Sequence, residues 1–522
     1  MGSLLGGPLS REVVDYFSFK IFDATASAPR LVNALFEIAY NQAVRLLHRA
    51  TPPSLAEEVD ALAAGMGVDA IHLKRAITLP DAAAALNMFG PGPLPEGGCT
   101  SIARKNTDRR FVYGRNLDFA GVNRWDKHPL VTVVQPEAGS AELRHVVFGA
   151  DGVLFGGITG MNEAGITFAV QQIYTRDAGL TGVPMMLIGE LVLRSARSVA
   201  EAEEILRRYR PATLWAFVVT DLKTGDAIAV ESSQRHFAAR AMHDGSFVQT
   251  NHVMNEEVRA DERISLGTKM NSLQRMKTAY SGIEALQGDL TVEKMAAVLA
   301  YQADPEGEMV AYRDILKAHT IQTVLFESLG GNPESVYVSQ DPAPAAGGSF
   351  VKFSFPGLIA GGPLSFEAVN PTKPPEAKRK RQIETSLAFH AYFDEKNIPK
   401  ALSLLAEQRT LDAALFRASA KYQEGFYQDA IHTAEEALAN PRFRDEPAYI
   451  HQSVKWVKLA SLVRLEKVAE ARTFAAQLKE ESPDNPRLRE LAERVAEGRP
   501  VPDRLLKIAF EFFSGDLGGR PS

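Results

Sequence analysis

The chain has 522 residues, enough for two to four domains and a large core. Its 45% apolar and 23% charged residues are ordinary for a soluble globular protein, and a net charge of −6 leaves no footprint for nucleic acid or an anionic membrane. No apolar run approaches the roughly 18 residues of a transmembrane helix, and residues 1–20 lack the basic-then-apolar order of a secretory signal, so a cytoplasmic protein is expected. Met1-Gly2 begins like a myristoylation site, but Gly6 stands where Ser or Thr is needed.

Residues 30–50 read as an amphipathic helix, 57–66 as a second and 68–77 as a third. A breaker-rich loop, Pro91-Gly-Pro-Leu-Pro-Glu-Gly-Gly98, follows. After it the pattern changes to short β-branched and aromatic strands at 111–113, 130–134 and 144–148. Strands at 153–159 and 166–172 flank Gly160-Met-Asn-Glu-Ala-Gly165, read as a hairpin connection. Helices at 185–195 and 199–209 lead to strands at 214–220, 227–232, 237–241 and 247–250. Helices at 272–287 and 292–301 precede the strands 320–326, 335–339 and 349–355. Strands, helices and strands again, without βαβ alternation, predict an α+β fold with two antiparallel sheets flanked by helices.

Residues 356–384 are rich in Pro and Gly and carry Lys378-Arg-Lys-Arg-Gln382, which reads as a linker with a solvated charge run. From Ser386 the pattern is helical, and Gly425, Tyr427, Ala430, Ala434 and Ala437, with Pro441 after them, have tetratricopeptide (TPR) spacing. Ala401 and Ala471 echo the same turn, so about three degenerate helical hairpins are expected. An amphipathic segment at 505–513 is expected to cap them.

Cys99 is the single cysteine, which excludes an intramolecular disulfide and a multi-cysteine metal site. A small buried hydrophobe, an incidental thiol and a nucleophile remain. Gly97 and Gly98 precede it, and Arg115 and Asp118 close the strand-like run at +16 and +19. His145 and His252 are the nearest partners for a conventional Cys–His dyad, although both read more plainly as core or rim histidines. Asn162 reads as a turn residue and His319 as structural. No phosphate loop and no zinc-ligand spacing is present, so neither metal nor cofactor is expected.

Gly98-Cys99-Thr100-Ser101 followed by Gly114-Arg115-Asn116-Leu117-Asp118 resembles the cysteine N-terminal-nucleophile (Ntn) hydrolases over roughly residues 50–355. These include choloylglycine hydrolases, penicillin V acylase, acid ceramidase and acyl-CoA:6-aminopenicillanic acid acyltransferase, and the chain most resembles the last. The resemblance implies an αββα four-layer sandwich, self-cleavage between Gly98 and Cys99, and acyl transfer from an N-acyl amide or acyl-CoA substrate through Cys99. It implies that Arg115 lowers the thiol pKa and Asp118 holds the freed α-amine. Asn251, in Thr250-Asn251-His252, is then an oxyanion donor, and Arg275, in Ser272-Leu-Gln-Arg275, a site arginine. Gln172 stands where bile-salt hydrolases have a second Asn donor, a departure that keeps the amide but changes its reach.

The expected organisation is a helical propeptide at 1–98, a catalytic domain at 99–365, a linker at 366–384, a TPR-like domain at 385–500 and a tail at 501–522. The competing expectation is a catalytically idle Ntn scaffold that binds a protein partner through its TPR-like helices.

Overall fold

The computed structural model describes residues 8–25, 29–87, 98–151, 155–260, 262–264, 266–285, 290–308, 310, 312–361, 366–481, 483 and 485–507. The chain divides into two compact units. The first comprises Met1–Arg263, Met276–Tyr301 and His319–Pro374; the second comprises Ile264–Arg275, Gln302–Ala318 and Pro375–Ser522.

The first unit begins with the helices Pro8–Phe19, Arg30–Arg49, Pro53–Met66 and Ala70–Asn87. Fourteen strands follow among the described residues. They are β1 Thr100–Lys105, β2 Arg110–Asp118, β3 Pro129–Val134, β4 His145–Ala150, β5 Thr159–Asn162, β6 Ile166–Gln172 and β7 Trp215–Asp221. Next come β8 Asp226–Ser232, β9 Phe237–Ala241, β10 Ser246–Gln249, β11 Thr320–Leu329, β12 Asn332–Ser339, β13 Phe350–Ser354 and β14 Phe366–Val369. They form two antiparallel sheets of seven strands, ordered β10-β1-β2-β11-β12-β13-β14 and β3-β4-β5-β6-β7-β8-β9. One buried cluster draws on both: Phe111, Tyr113 and Phe326 from the first sheet meet Val146, Phe148 and Val218 from the second. Burying aromatic and branched side chains contributes roughly 25 cal/mol per Å², so this shared face stabilises the pairing of the two sheets.

Helix Met185–Ser195 lies close against the second sheet because two glycines permit it. A Cβ on Gly157 would sit 2.1 Å from the Met186 carbonyl oxygen, and one on Gly189 would sit 2.3 Å from Gly157 Cα. That approach removes 155–158 from the sheet, so of the strand expected over 153–159 the described part begins at Thr159 and runs to Asn162, and 153–154 lie outside the described residues. The hairpin connection accordingly shortens, and Asn162 builds it. Its Oδ1 accepts from Ala164 N and Ile166 N at 3.1 and 3.0 Å, while its Nδ2 donates to the Leu193 and Ala196 carbonyls at the helix end.

Two further elements differ from their expected form. The third helix continues from Ala70 through Pro80 to Asn87, carried by the alanine run 82–85, whose helix propensity is the highest available. Residues 366–384, expected as a linker, hold β14 and the start of helix Glu376–Phe393. β14 pairs with β13 through Phe366–Phe353 and Val369–Phe350, a β-propensity that proline and glycine neighbours masked. Residues 91–97, expected as a loop, and 508–522 lie outside the described residues.

The second unit is helical. Its helices Glu376–Phe393, Ile398–Leu404, Leu411–Gln423, Tyr427–Ala439, Ala448–Arg464, Val468–Glu481 and Pro486–Ala496 pack in succession. Small Ala430, Ala434, Ala437, Ala471 and Ala475 are buried at their contacts. The helix Leu266–Ala285 contributes its residues up to Arg275 to this unit. No helix among the described residues is long and apolar enough to cross a membrane.

Candidate active site

The +16 and +19 spacing is the signature of a hairpin base. β1 and β2 pair antiparallel with Thr100 opposite Asn116 and Ser101 opposite Arg115. One further step of that register sets Cys99 opposite Leu117 and beside Asp118. The thiol is buried, 4% exposed, and its Sγ lies 3.4 Å from Asp118 N and 3.7 Å from Asp118 O. The Asp118 carboxylate is also buried, and its Oδ1 accepts from Thr320 Oγ1 at 2.7 Å, where β11 runs alongside β2.

Arg115 points from β2 into the space between the sheets, fully buried. Its Nη1 donates to Thr159 Oγ1 at 2.8 Å and to the Ile158 carbonyl, and its Nη2 donates to the Val170 carbonyl at 3.1 Å. All three acceptors are neutral, so the guanidinium keeps its positive field. Tyr113, on the same face, feels both Arg115 and Cys99. Burial pushes its hydroxyl up to about 12, Arg115 and a bond to Ser101 pull it down, and Cys99 adds to the rise. Ser101 Oγ lies 3.1 Å from Tyr113 Oη and accepts from Gln171 Nε2 at 2.6 Å, a polar bridge from one sheet to the other.

Asn251 follows β10 and is fully buried. Its Nδ2 donates to the Gln172 carbonyl at 2.9 Å, so these two residues meet. The Gln172 side chain turns toward the N-terminal helices: its Nε2 donates to the Pro80 carbonyl at 3.2 Å and its Oε1 accepts from Tyr174 at 3.1 Å. Arg275 belongs to the second unit, where it is buried with Nε 2.9 Å from Asn271 Oδ1.

A narrow pocket of about 30 Å³ reaches Cys99, walled by Pro80, Leu117, Trp125, Ile158, Met185 and Trp215 among others. A second apolar space of about 20 Å³ shares Pro80, Phe119, Trp125 and Ile158 with it and extends to Phe17, Leu73 and Ile77 of the N-terminal helices. The thiol therefore faces mainly apolar walls.

Both histidines weighed as dyad partners have other engagements. His145 bonds Leu143 O at 3.1 Å and Glu190 Oε1 at 2.8 Å, using both ring nitrogens. His252 Nδ1 lies 3.2 Å from Thr250 Oγ1. Glu190 also takes Arg194 Nε at 2.8 Å and Gly156 N at 2.8 Å, and Arg194 forks onto both carboxylate oxygens of Glu58 at 2.6 and 2.5 Å. Burial alone would lower the His145 pKa, but the charge and hydrogen bond of Glu190 raise it; burial would raise Glu190, but His145 and Arg194 hold it at about 2. Among the described residues no group of three or more His, Cys, Asp or Glu is placed to hold a metal ion.

Sequence reading missed Pro80 and Asp81. Asp81 is 1% exposed and accepts from Met185 N at 3.0 Å, Trp215 Nε1 at 2.9 Å and Thr213 Oγ1 at 3.3 Å. Burial pushes its carboxyl up to about 6 against the pull of those three donors. The available signal was a lone acid inside the apolar run Ile77-Thr-Leu-Pro-Asp-Ala-Ala-Ala-Ala85.

Residues 103–331 match the family model for acyl-coenzyme A:6-aminopenicillanic acid acyl-transferase. The match takes in Arg115, Asp118, Gln172, Asn251 and Arg275 and begins just after Cys99. Among solved structures, a Caenorhabditis elegans N-acylethanolamine-hydrolyzing acid amidase ortholog aligns with 16% identity and a TM-score of 0.31, over 45% of this chain and 93% of its own. Comparison with curated proteins finds no match.

Proposed function

We propose that the chain is a self-processing cysteine Ntn enzyme, an amidohydrolase or N-acyltransferase acting on N-acyl amide or acyl-CoA substrates. The observation that carries this reading is the buried Cys99 thiol, directly after Gly98, braced by the Asp118 backbone at the end of an apolar pocket. The family match over 103–331 supports acyl transfer as the reaction class.

In this reading Sγ of Cys99 attacks the Gly98 carbonyl carbon. The C–N bond to Cys99 breaks, leaving a thioester and a free α-amine. Water then hydrolyses the thioester, releasing the Gly98 carboxylate and restoring the thiol. The α-amine, with an ordinary pKa of about 7.7–8.0, is matched to general-base work near neutral pH. It takes the thiol proton as sulfur attacks the substrate carbonyl, and gives a proton to the departing amine or thiol. Water or an acceptor amine then receives the acyl group.

Arg115 lowers the thiol pKa through its uncompensated charge. Asp118 orients the α-amine, and the Asn251 amide steadies the oxyanion, with Gln172 as second donor. The two sheets with their helices are the αββα sandwich of such enzymes, residues 1–98 the propeptide and 385–500 a TPR-like appendage.

Intact-mass analysis of freshly purified protein beside Cys99→Ala tests the proposal. Fragments of 98 and 424 residues (522 less the first 98) are expected from the natural chain and one uncut chain from the variant. A folded natural chain that stays whole overturns self-processing and favours the idle, partner-binding scaffold.

A further inference from the structure

A further cavity, of about 310 Å³, lies between helices Arg30–Arg49 and Ala70–Asn87. One helix presents Phe36, Ala39, Tyr40 and Ala43 to it, and the other presents Ala82 and Ala85. Close-packed helices would fill such a space with Leu or Ile; alanine leaves it vacant. Its walls are almost wholly apolar, and the charged side chain lining it is Asp81.

The setting of Asp81 is unusual for a carboxylate. It is 1% exposed, and among the described residues its bonding partners are three neutral donors, Met185 N, Trp215 Nε1 and Thr213 Oγ1. Burying a carboxylate without a counter-cation is costly, and such an acid is ordinarily retained where something compensates it. Three accepted hydrogen bonds leave its oxygens room for a fourth.

We propose that this cavity binds an amphiphilic primary amine, with its alkyl body along the alanines and its ammonium on Asp81. A fatty carboxylate would set like charge against Asp81, and an alcohol would leave that charge uncompensated. The site goes beyond the acyl-transfer chemistry but adjoins it, since Met185 and Trp215, which hold Asp81, also wall the Cys99 pocket.

The test is isothermal titration of full-length protein carrying Cys99→Ala, so that its outcome is independent of the acyl-transfer reading. The probes are octylammonium, octanol and octanoate below their micellar concentrations. Octylammonium is expected to bind roughly tenfold tighter than octanol, the worth of one charge-assisted hydrogen bond, with octanoate weakest. Asp81→Asn should bring octylammonium to the octanol level, and Ala43→Phe, which fills the cavity, should abolish both. Equal binding of amine and alcohol, or undiminished amine binding in Ala43→Phe, overturns the proposal. If Asp81→Asn loses octanol as well, its cavity has changed, and the head-group comparison with Ala43→Phe decides alone.

Discussion

Cys99 and Asp118 are nineteen residues apart in sequence and touch in space because β1 and β2 fix an antiparallel register. In sequence the pairing of these two residues came only through the family resemblance, whereas the antiparallel register supplies a physical reason for the +19 spacing, since hairpin pairing converts sequence distance into geometry with few alternatives. Asn251 was legible only as a motif, and its bond to the Gln172 carbonyl needed the fold to appear. Replacing Asn251 by Ala should slow splitting of the newly made chain by about 10²–10³-fold, the usual loss for one oxyanion donor. Timed gel electrophoresis after synthesis reads this directly, and an unchanged rate removes Asn251 from the proposed donors. Asp81 escaped because the helix periodicity was broken off at residue 77, before the proline. A proline inside a helix removes one backbone hydrogen bond, but the alanines after Pro80 sustain the helix.

Three elements, β4, helix Met185–Ser195 and helix Pro53–Met66, are joined by the chain of charges His145, Glu190, Arg194 and Glu58. Its inner members are almost solvent-free, whereas the Glu58 side chain is 46% exposed. Glu190→Gln leaves His145 buried without its anion and takes one carboxylate from Arg194, and should cost about 3–5 kcal/mol in denaturant unfolding. Glu58→Gln acts where water screens the charge and should cost about 1 kcal/mol or less. Similar losses for the two variants would mean that burial does not set the strength of this network. Its pH dependence follows from the shifts. The raised His145 contributes fully below its ordinary pKa of about 6.5, and this is lost as pH climbs through the folded value. Glu190, held at about 2, contributes above its ordinary value and loses this as pH falls from about 4.5 toward 2. None of this network could be read from periodicity, because its members are scattered over more than a hundred residues and meet only when helix and sheet close.

For the molecule as a whole, the second unit carries a core of buried acids that rising pH weakens. Asp412 is 1% exposed, its Oδ1 is buried without a hydrogen-bond partner, and burial, then Glu446 and Asp314, push its carboxyl up to about 8. Asp314, bonded to Ala303 N and Val310 N, is pushed up to about 7, chiefly by burial. Between the unfolded carboxyl range near pH 4 and these raised values, the folded state holds protons that the unfolded chain has lost. Stability of this unit should therefore fall as pH rises from about 4 to 8. Asp412→Asn should raise the melting temperature of the full chain's helical transition by a few degrees at pH 8 and change it little at pH 4, as followed by circular dichroism. A lower melting temperature at pH 8 would show that the carboxylate form of Asp412 is stabilising. The helical character of this unit was legible from alanine spacing, but its buried acids were not, since Asp412 reads in sequence as an ordinary first-turn acid after a Thr410 cap.

The fork of Arg194 on Glu58 and the Gln172–Pro80 bond both tie residues after Cys99 to residues before it. Within one chain these contacts are unimolecular and indifferent to dilution. A cut between Gly98 and Cys99 makes them the interface of a heterodimer governed by mass action. Shelf life in dilute solution, salt tolerance of the Glu58 fork and recovery after denaturation then all become functions of protein concentration.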